Sequence, residues 1–176
     1  IHVVAIKNEV KELLFILDKG FDKEPIIKAI NLETKQPCFE YKTSDENKIS
    51  VSYKNSLNFL YEPNAAVLKS GAFKSVASQF NLNKFAQNSH LYSSTEFKKR
   101  FPGKVYQIEQ ILPYHKKKLK PLLKGQKANV KAKNFPETAN QLKKIFKIKD
   151  GGDMFFIFTS SKQGKWLLKC KIHNLS

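Results

Sequence analysis

Between residues 104 and 172 the hydrophobic pattern alternates between the two-residue period of strands and the 3.6-residue period of helices. This order restricts the fold more than any other feature of the chain. In residues 104–112 (KVYQIEQIL), Tyr106, Ile108, Gln110 and Leu112 make the more apolar face of a strand, with Val105, Gln107, Glu109 and Ile111 opposite. Residues 114–124 (YHKKKLKPLLK) place Leu119, Leu122 and Leu123 at helical spacing, and Pro121 is expected to shorten or kink that helix. Residues 127–133 (KANVKAK) alternate again, putting Lys127, Asn129, Lys131 and Lys133 on one side of a strand and Ala128, Val130 and Ala132 on the other. Pro136 and Glu137 suit the first turn of a second helix whose buried stripe is Ala139, Leu142, Ile145 and Phe146. Two runs, MFFIFT (154–159) and KWLLKCKI (165–172), then read as a hairpin. The expected order is strand, helix, strand, helix, strand, strand.

Upstream, IHVVAI (1–6) and ELLFIL (12–17) read as a hairpin across the polar residues 7–11. Residues 25–32 (PIIKAINL) and 48–53 (KISVSY) are further strand candidates, with Asp45, Glu46 and Asn47 forming a turn before the latter. In residues 60–80 (LYEPNAAVLKSGAFKSVASQF), Leu68, Ala72, Val76 and Phe80 recur every four residues behind the N-cap candidate Asn64. The spacing predicts one amphipathic helix. Gly71 inside it would cost about 1 kcal/mol relative to Ala, and therefore reads as a point of close packing. Glu62 and Asn64 form a potential polar site, but a turn glutamate and a capping asparagine account for them. A short strand or loop is expected over 88–95 (NSHLYSST).

The charge is concentrated. Residues 98–149 hold sixteen Lys and Arg against only Glu109 and Glu137, a net +14 of the chain's +17, whereas up to Phe97 twelve cations face eleven carboxylates. Scattered lysines would serve solubility; a block of this density points to a polyanionic partner. Tyr106, Tyr114 and Phe135 are interspersed with the lysines, as on surfaces that track phosphates and stack bases. The residues assigned to RNA contact are Lys116, Lys117, Lys118, Lys120, Lys127, Lys131, Lys133, Lys143, Lys144, Lys147, Tyr114 and His115. For His115 an exposed helix position is an equally good account.

Other chemistry finds no pattern. The seven glycines make neither GxGxxG nor a P-loop, and the four histidines are never three to five residues apart. No GxSxG elbow occurs, although a triad that converges only in space leaves no such trace. Glu9 with Glu12, and Asp150 with Asp153, read as turn charges. Cys38 and Cys170 have no metal-like or CxxC spacing and are expected in the core or in strands of a protein of the reducing cytoplasm. No apolar run approaches the roughly 18 residues that span a bilayer, so no membrane partner is expected. With Ile1 opening inside a strand pattern, the chain is expected to be a piece of a longer protein.

The stretches 60–80, 88–94 (NSHLYSS), 101–109 (FPGKVYQIE) and 127–153 (KANVKAKNFPETANQLKKIFKIKDGGD) together resemble the C-terminal region of bacterial class I S-adenosylmethionine-dependent methyltransferases that carry a ferredoxin-like segment and a THUMP-like domain. Residues 2–17 (HVVAIKNEVKELLFIL) resemble the hairpin that closes the methyltransferase sheet in those proteins. The resemblance implies an α+β fold with mixed sheets: methyltransferase-edge strands over 1–58, a ferredoxin-like segment over 59–101 and a THUMP-like domain over 102–176. It implies S-adenosylmethionine as the parent's cofactor, bound upstream; this chain has neither the glycine-rich loop nor an Asn/Asp-Pro-Pro-Tyr motif, and Asn134-Phe135-Pro136 does not substitute for one. THUMP domains of RNA-modifying enzymes bind RNA, which agrees with the independently counted basic block. The expected partners are thus RNA, either tRNA or rRNA, and the missing catalytic domain of the same chain. No catalytic, cofactor or metal residue is expected within the chain, and the fragment alone is expected to be inactive. The alternative is a structural or protein-interaction module facing an acidic partner or its own catalytic domain; a self-contained enzyme is the least supported reading.

Overall fold

A computed structural model describes residues 1–54 and 58–173 and shows an α+β protein built on two mixed sheets. The first has the order β2-β1-β3-β4, from β1 (His2–Ile6), β2 (Glu9–Leu14), β3 (Ile26–Leu32) and β4 (Phe39–Lys42). Its hairpin turns on Lys7 and Asn8 alone, both at positive φ (48° and 69°) as a two-residue turn demands, so the loop is tighter than the five residues expected from the sequence. β1 then pairs in parallel with β3.

The second sheet has the order β6-β7-β5-β8-β11-β10-β9. Its strands are β5 (Phe59–Pro63), β6 (Asn83–Ala86), β7 (Ser89–Ser94), β8 (Gly103–Pro113), β9 (Asn129–Lys133), β10 (Met154–Ser161) and β11 (Gly164–Ile172). Only β9 and β10 run parallel. The sheet curls until β9 and β10 approach β7 and β6 from across the interior. Five helices accompany the strands: α1 (Thr43–Lys48), α2 (Ala65–Ser70), α3 (Ser75–Gln79), α4 (Lys116–Leu123) and α5 (Ala139–Phe146).

Strand alternation distributes the core over three clusters. On the inner face of the curled sheet lie Leu60, Leu91, Tyr106, Ile157, Leu168 and Cys170. Their neighbours Tyr61, Tyr92 and Val105 point the other way, meeting α2, α3 and the first sheet's Val3, Ala29 and Phe39. Phe156, Phe158 and Leu167 leave the outer face at its far end and are covered by Leu119 and Leu123 of α4 and by Leu142 and Phe146 of α5. The two helix pairs therefore occupy different regions, α2–α3 between the sheets and α4–α5 at the periphery.

The expected order from residue 104 onward is observed as β8, α4, β9, α5, β10, β11. Pro121 sits inside α4, which ends two residues later. Four local expectations are corrected. The single helix over 60–80 is two short ones, because Gly71 adopts φ 86° and caps α2 instead of lying within a longer helix. Residues 48–53 form no strand; Asp45, Glu46 and Asn47 are helical in α1, and Glu46 accepts the backbone N–H groups of Lys74 and Ser75 at 2.7 and 2.6 Å. Pro136 and Glu137 precede α5, which is opened by a Thr138–Gln141 capping box. Cys170 is buried in β11, but Cys38 is exposed ahead of β4. Strands β4 and β6 were not anticipated.

Candidate nucleic-acid interface

Burial of Leu119 and Leu123 fixes which side of α4 faces the sheet, and this turns Lys117, Lys118 and Lys120 to solvent. On α5, burial of Leu142 and Phe146 likewise leaves Lys144 exposed, followed by Lys147 at the left-handed C-cap. The two helices touch, so these five side chains lie on the outer side of one helical layer. None of the five makes an ion pair with the described residues. Lys116 is bound to Glu137 at 2.9 Å and Lys143 to Asp150 at 2.7 Å. α4 has no acidic residue in its first turn and begins with three lysines. Cations there oppose the helix dipole at a cost of a few tenths of a kcal/mol each, which a nearby anion would offset.

The remaining assigned residues are elsewhere. His115 is the exposed N-cap of α4 and makes no capping hydrogen bond. Tyr114 is part of the packing beneath the helices: its ring meets Phe135, Phe146 and Phe158 edge-on at centroid distances of 4.9, 6.0 and 6.0 Å. Its hydroxyl donates to Glu137, and burial together with that carboxylate pushes its pKa up to about 12. Lys127, just ahead of β9, lies against Gly151 and Gly152.

Lys131 and Lys133 belong to a separate cluster. β9 turns Val130 and Ala132 toward the helices, so the lysines between them face the interior of the curled sheet, as the alternation of the sequence requires. They meet Glu62 of β5, a carboxylate with only a tenth of its side-chain surface exposed. Lys131 binds its Oε2 at 2.5 Å, Lys133 its Oε1 at 2.8 Å, and the Tyr106 hydroxyl donates to Oε2 at 2.8 Å. Burial by itself would raise the Glu62 pKa, but the two ammonium groups outweigh it and hold the carboxyl down to about 2. Burial also draws Lys131 below the usual lysine range while Glu62 opposes that shift. Glu62 is therefore not a turn residue, and the site that forms around it joins β5 to β9, 69 residues away in sequence. Asn64 does act as the expected cap, accepting from Val67 N–H at 3.0 Å.

Among the described residues no group of three or more His, Cys, Asp or Glu could hold a metal ion, and no helix is long and apolar enough to cross a membrane.

Two family matches divide the second part of the chain. Residues 59–102 match a ferredoxin-like domain family and residues 103–171 a THUMP domain-like family. Among solved structures, the crystal structure of a "putative methyltransferase from Porphyromonas gingivalis W83" is similar with a TM-score of 0.89 and 35% sequence identity. The similarity covers 98% of this chain and 45% of that one, so the chain spans less than half the length of that protein. No curated protein sequence matches the chain.

Proposed function

We propose that this chain is the RNA-docking part of a cytoplasmic, S-adenosylmethionine-dependent RNA methyltransferase, and that the outer side of the α4–α5 layer is its docking surface. The observation that carries this reading is the set of unpaired lysines Lys117, Lys118, Lys120, Lys144 and Lys147 on one helical layer of a THUMP-like unit. They neutralise phosphates and set the orientation of a folded tRNA or rRNA, leaving the methylated base to a catalytic domain. S-adenosylmethionine is bound by that domain. Lys131 and Lys133 have a different task, since both are paired with Glu62 away from the helical layer.

A second observation supports contact with the catalytic domain. Leu13, Leu14, Phe15, Ile16, Leu17 and Phe21 at and beyond the edge strand β2 are all exposed, Leu17 at 94%. A run of this kind on an open sheet edge is a docking surface or an aggregation site. We assign it to the remainder of the methyltransferase, against which the first sheet packs. Anisotropy titrations with a folded tRNA, a single-stranded RNA and a duplex DNA test the main reading. Micromolar or tighter preference for the folded RNA near physiological salt is expected; equal, weak binding to all three would leave only the packing role.

A further inference from the structure

Between the two sheets lies a cavity of about 630 Å³, within the size range of small-molecule sites. The turn of the first hairpin, the segment after β3, the β5–α2 junction, the start of β8 and the strand β9 all contribute to its lining. Four side-chain amides line it, and their orientations are fixed by the backbone. Asn8 Oδ1 accepts from Ala65 N–H, Asn31 Oδ1 from Asn8 N–H and Asn64 Oδ1 from Val67 N–H, while Gln36 Nε2 donates to the Gly103 carbonyl. Gln36 Oε1 is then left to accept from both Asn31 and Asn64. Each of the four amide oxygens already accepts at least one hydrogen bond inside the protein, and Gln36 Oε1 accepts two. Donor capacity is left in larger measure: both N–H bonds of Asn8 Nδ2 and one each on Asn31, Asn64 and Gln36, five in all against three spare acceptor lone pairs. Asn8 is exposed and Gln36 partly exposed, so their donors reach the cavity, whereas Asn31 and Asn64, only 4% and 3% exposed, sit beneath them and hold Gln36 in place.

The charged lining has the same polarity. Lys131 and Lys133 outnumber Glu62, and Lys104, next to them, has no ion-pair partner among the described residues. Lys7 at the rim is balanced by Glu33 at 2.9 Å. A space walled by N–H donors and surplus ammonium groups complements a ligand made of acceptor oxygens carrying negative charge.

We infer that this cavity binds a phosphoryl group, with Lys104 as its principal cation and the amides of Asn8 and Gln36 as neutral donors. The phosphate belongs either to a free mononucleotide or to the 5′ end of an RNA strand. The inference does not rest on RNA docking by the α4–α5 layer, whose five lysines lie outside the cavity.

The test is a titration of the ¹⁵N-labelled 176-residue chain, following the side-chain NH₂ resonances of Asn8, Asn31, Gln36 and Asn64. The probes are inorganic phosphate, adenosine monophosphate, and one trinucleotide with either a 5′-phosphate or a 5′-hydroxyl. Saturable shifts of these resonances below about 10 mM probe are expected. Lys104→Gln should weaken binding about tenfold or more, Lys104→Arg should restore most of it, and Lys162→Gln, in the exposed β10–β11 turn, should leave it unchanged. Tightest binding of the mononucleotide identifies a free nucleotide as the source; preference for the phosphorylated trinucleotide over its hydroxyl form identifies a strand end. Shifts that never saturate, or an unchanged affinity in Lys104→Gln, would overturn the assignment.

Discussion

Replacing Glu62 by Gln would leave two ammonium groups in a space built for three charges. Removing one member of a buried ionic group costs about 3 kcal/mol or more, and urea unfolding at pH 7 should show a loss of that size for Glu62→Gln. The pH dependence follows from the direction of the shift. Glu62 titrates near 2 in the folded chain and near the ordinary 4.5 when unfolded, so its contribution is complete above pH 4.5 and disappears as pH falls toward 2. Over that window the wild type should lose about 3 kcal/mol that Glu62→Gln does not lose. Equal acid sensitivity of the two proteins would show that the lysines do not hold the carboxylate. Tyr114 offers a contrasting test, because its ring is packing and only its hydroxyl reaches Glu137. Tyr114→Phe should keep full RNA affinity at a stability cost of about 1 kcal/mol, whereas Tyr114→Ala should cost about 3–5 kcal/mol. A binding defect in the phenylalanine variant at normal stability would return Tyr114 to the interface.

At the scale of elements, β8 begins beside β5 at Gly103, opposite Pro63, where there is no room for a side chain. A Cβ there would sit 2.2 Å from the Glu62 carbonyl oxygen and 2.8 Å from Pro63 Cα, both backbone atoms unable to yield without moving the strand. Gly103→Ala should therefore destabilise the chain by about 2 kcal/mol or more in urea unfolding, and the Gln36 bond to the Gly103 carbonyl should be disturbed with it. A neutral effect would mean that the β5–β8 pair slides freely. Elements from residue 104 onward were legible because each carries its own period over a sufficient length, and the apolar faces of β8, β10 and α5 leave little choice. Residues 60–80 misled for a physical reason: α2 and α3 follow each other closely enough to preserve a four-residue spacing of apolar side chains, although Gly71 breaks the backbone between them. Residues 48–53 have strand propensity but form no ladder, although Ser52 accepts the backbone N–H of Lys84 in the edge strand β6 at 2.8 Å. The basic helices were visible in the sequence; the Glu62 cluster was not, since one carboxylate in β5 and two lysines in β9 become neighbours only when the second sheet curls. The surviving signal was the alternation in 127–133, which placed Lys131 and Lys133 together on one face.

For the whole molecule, charge and apolar surface are segregated. The unpaired lysines of α4 and α5 lie on the periphery of the second sheet, while the exposed apolar side chains from Leu13 to Phe21 belong to the first. One end is suited to a polyanion and the other to a protein surface, and the donor-lined cavity lies between the two sheets. Docking through α4 and α5 implies a specific division among the lysines. If about five phosphates are neutralised, log affinity for folded RNA should fall against log salt with a slope of roughly −3.5 to −4.5. The decisive measurement is that slope, taken by anisotropy for the wild type and for a chain with Lys117, Lys118, Lys120, Lys144 and Lys147 all changed to Gln. The variant should retain the wild-type urea midpoint, bind folded RNA far more weakly and show a slope near zero. An unchanged slope and affinity would contradict docking through the α4–α5 layer.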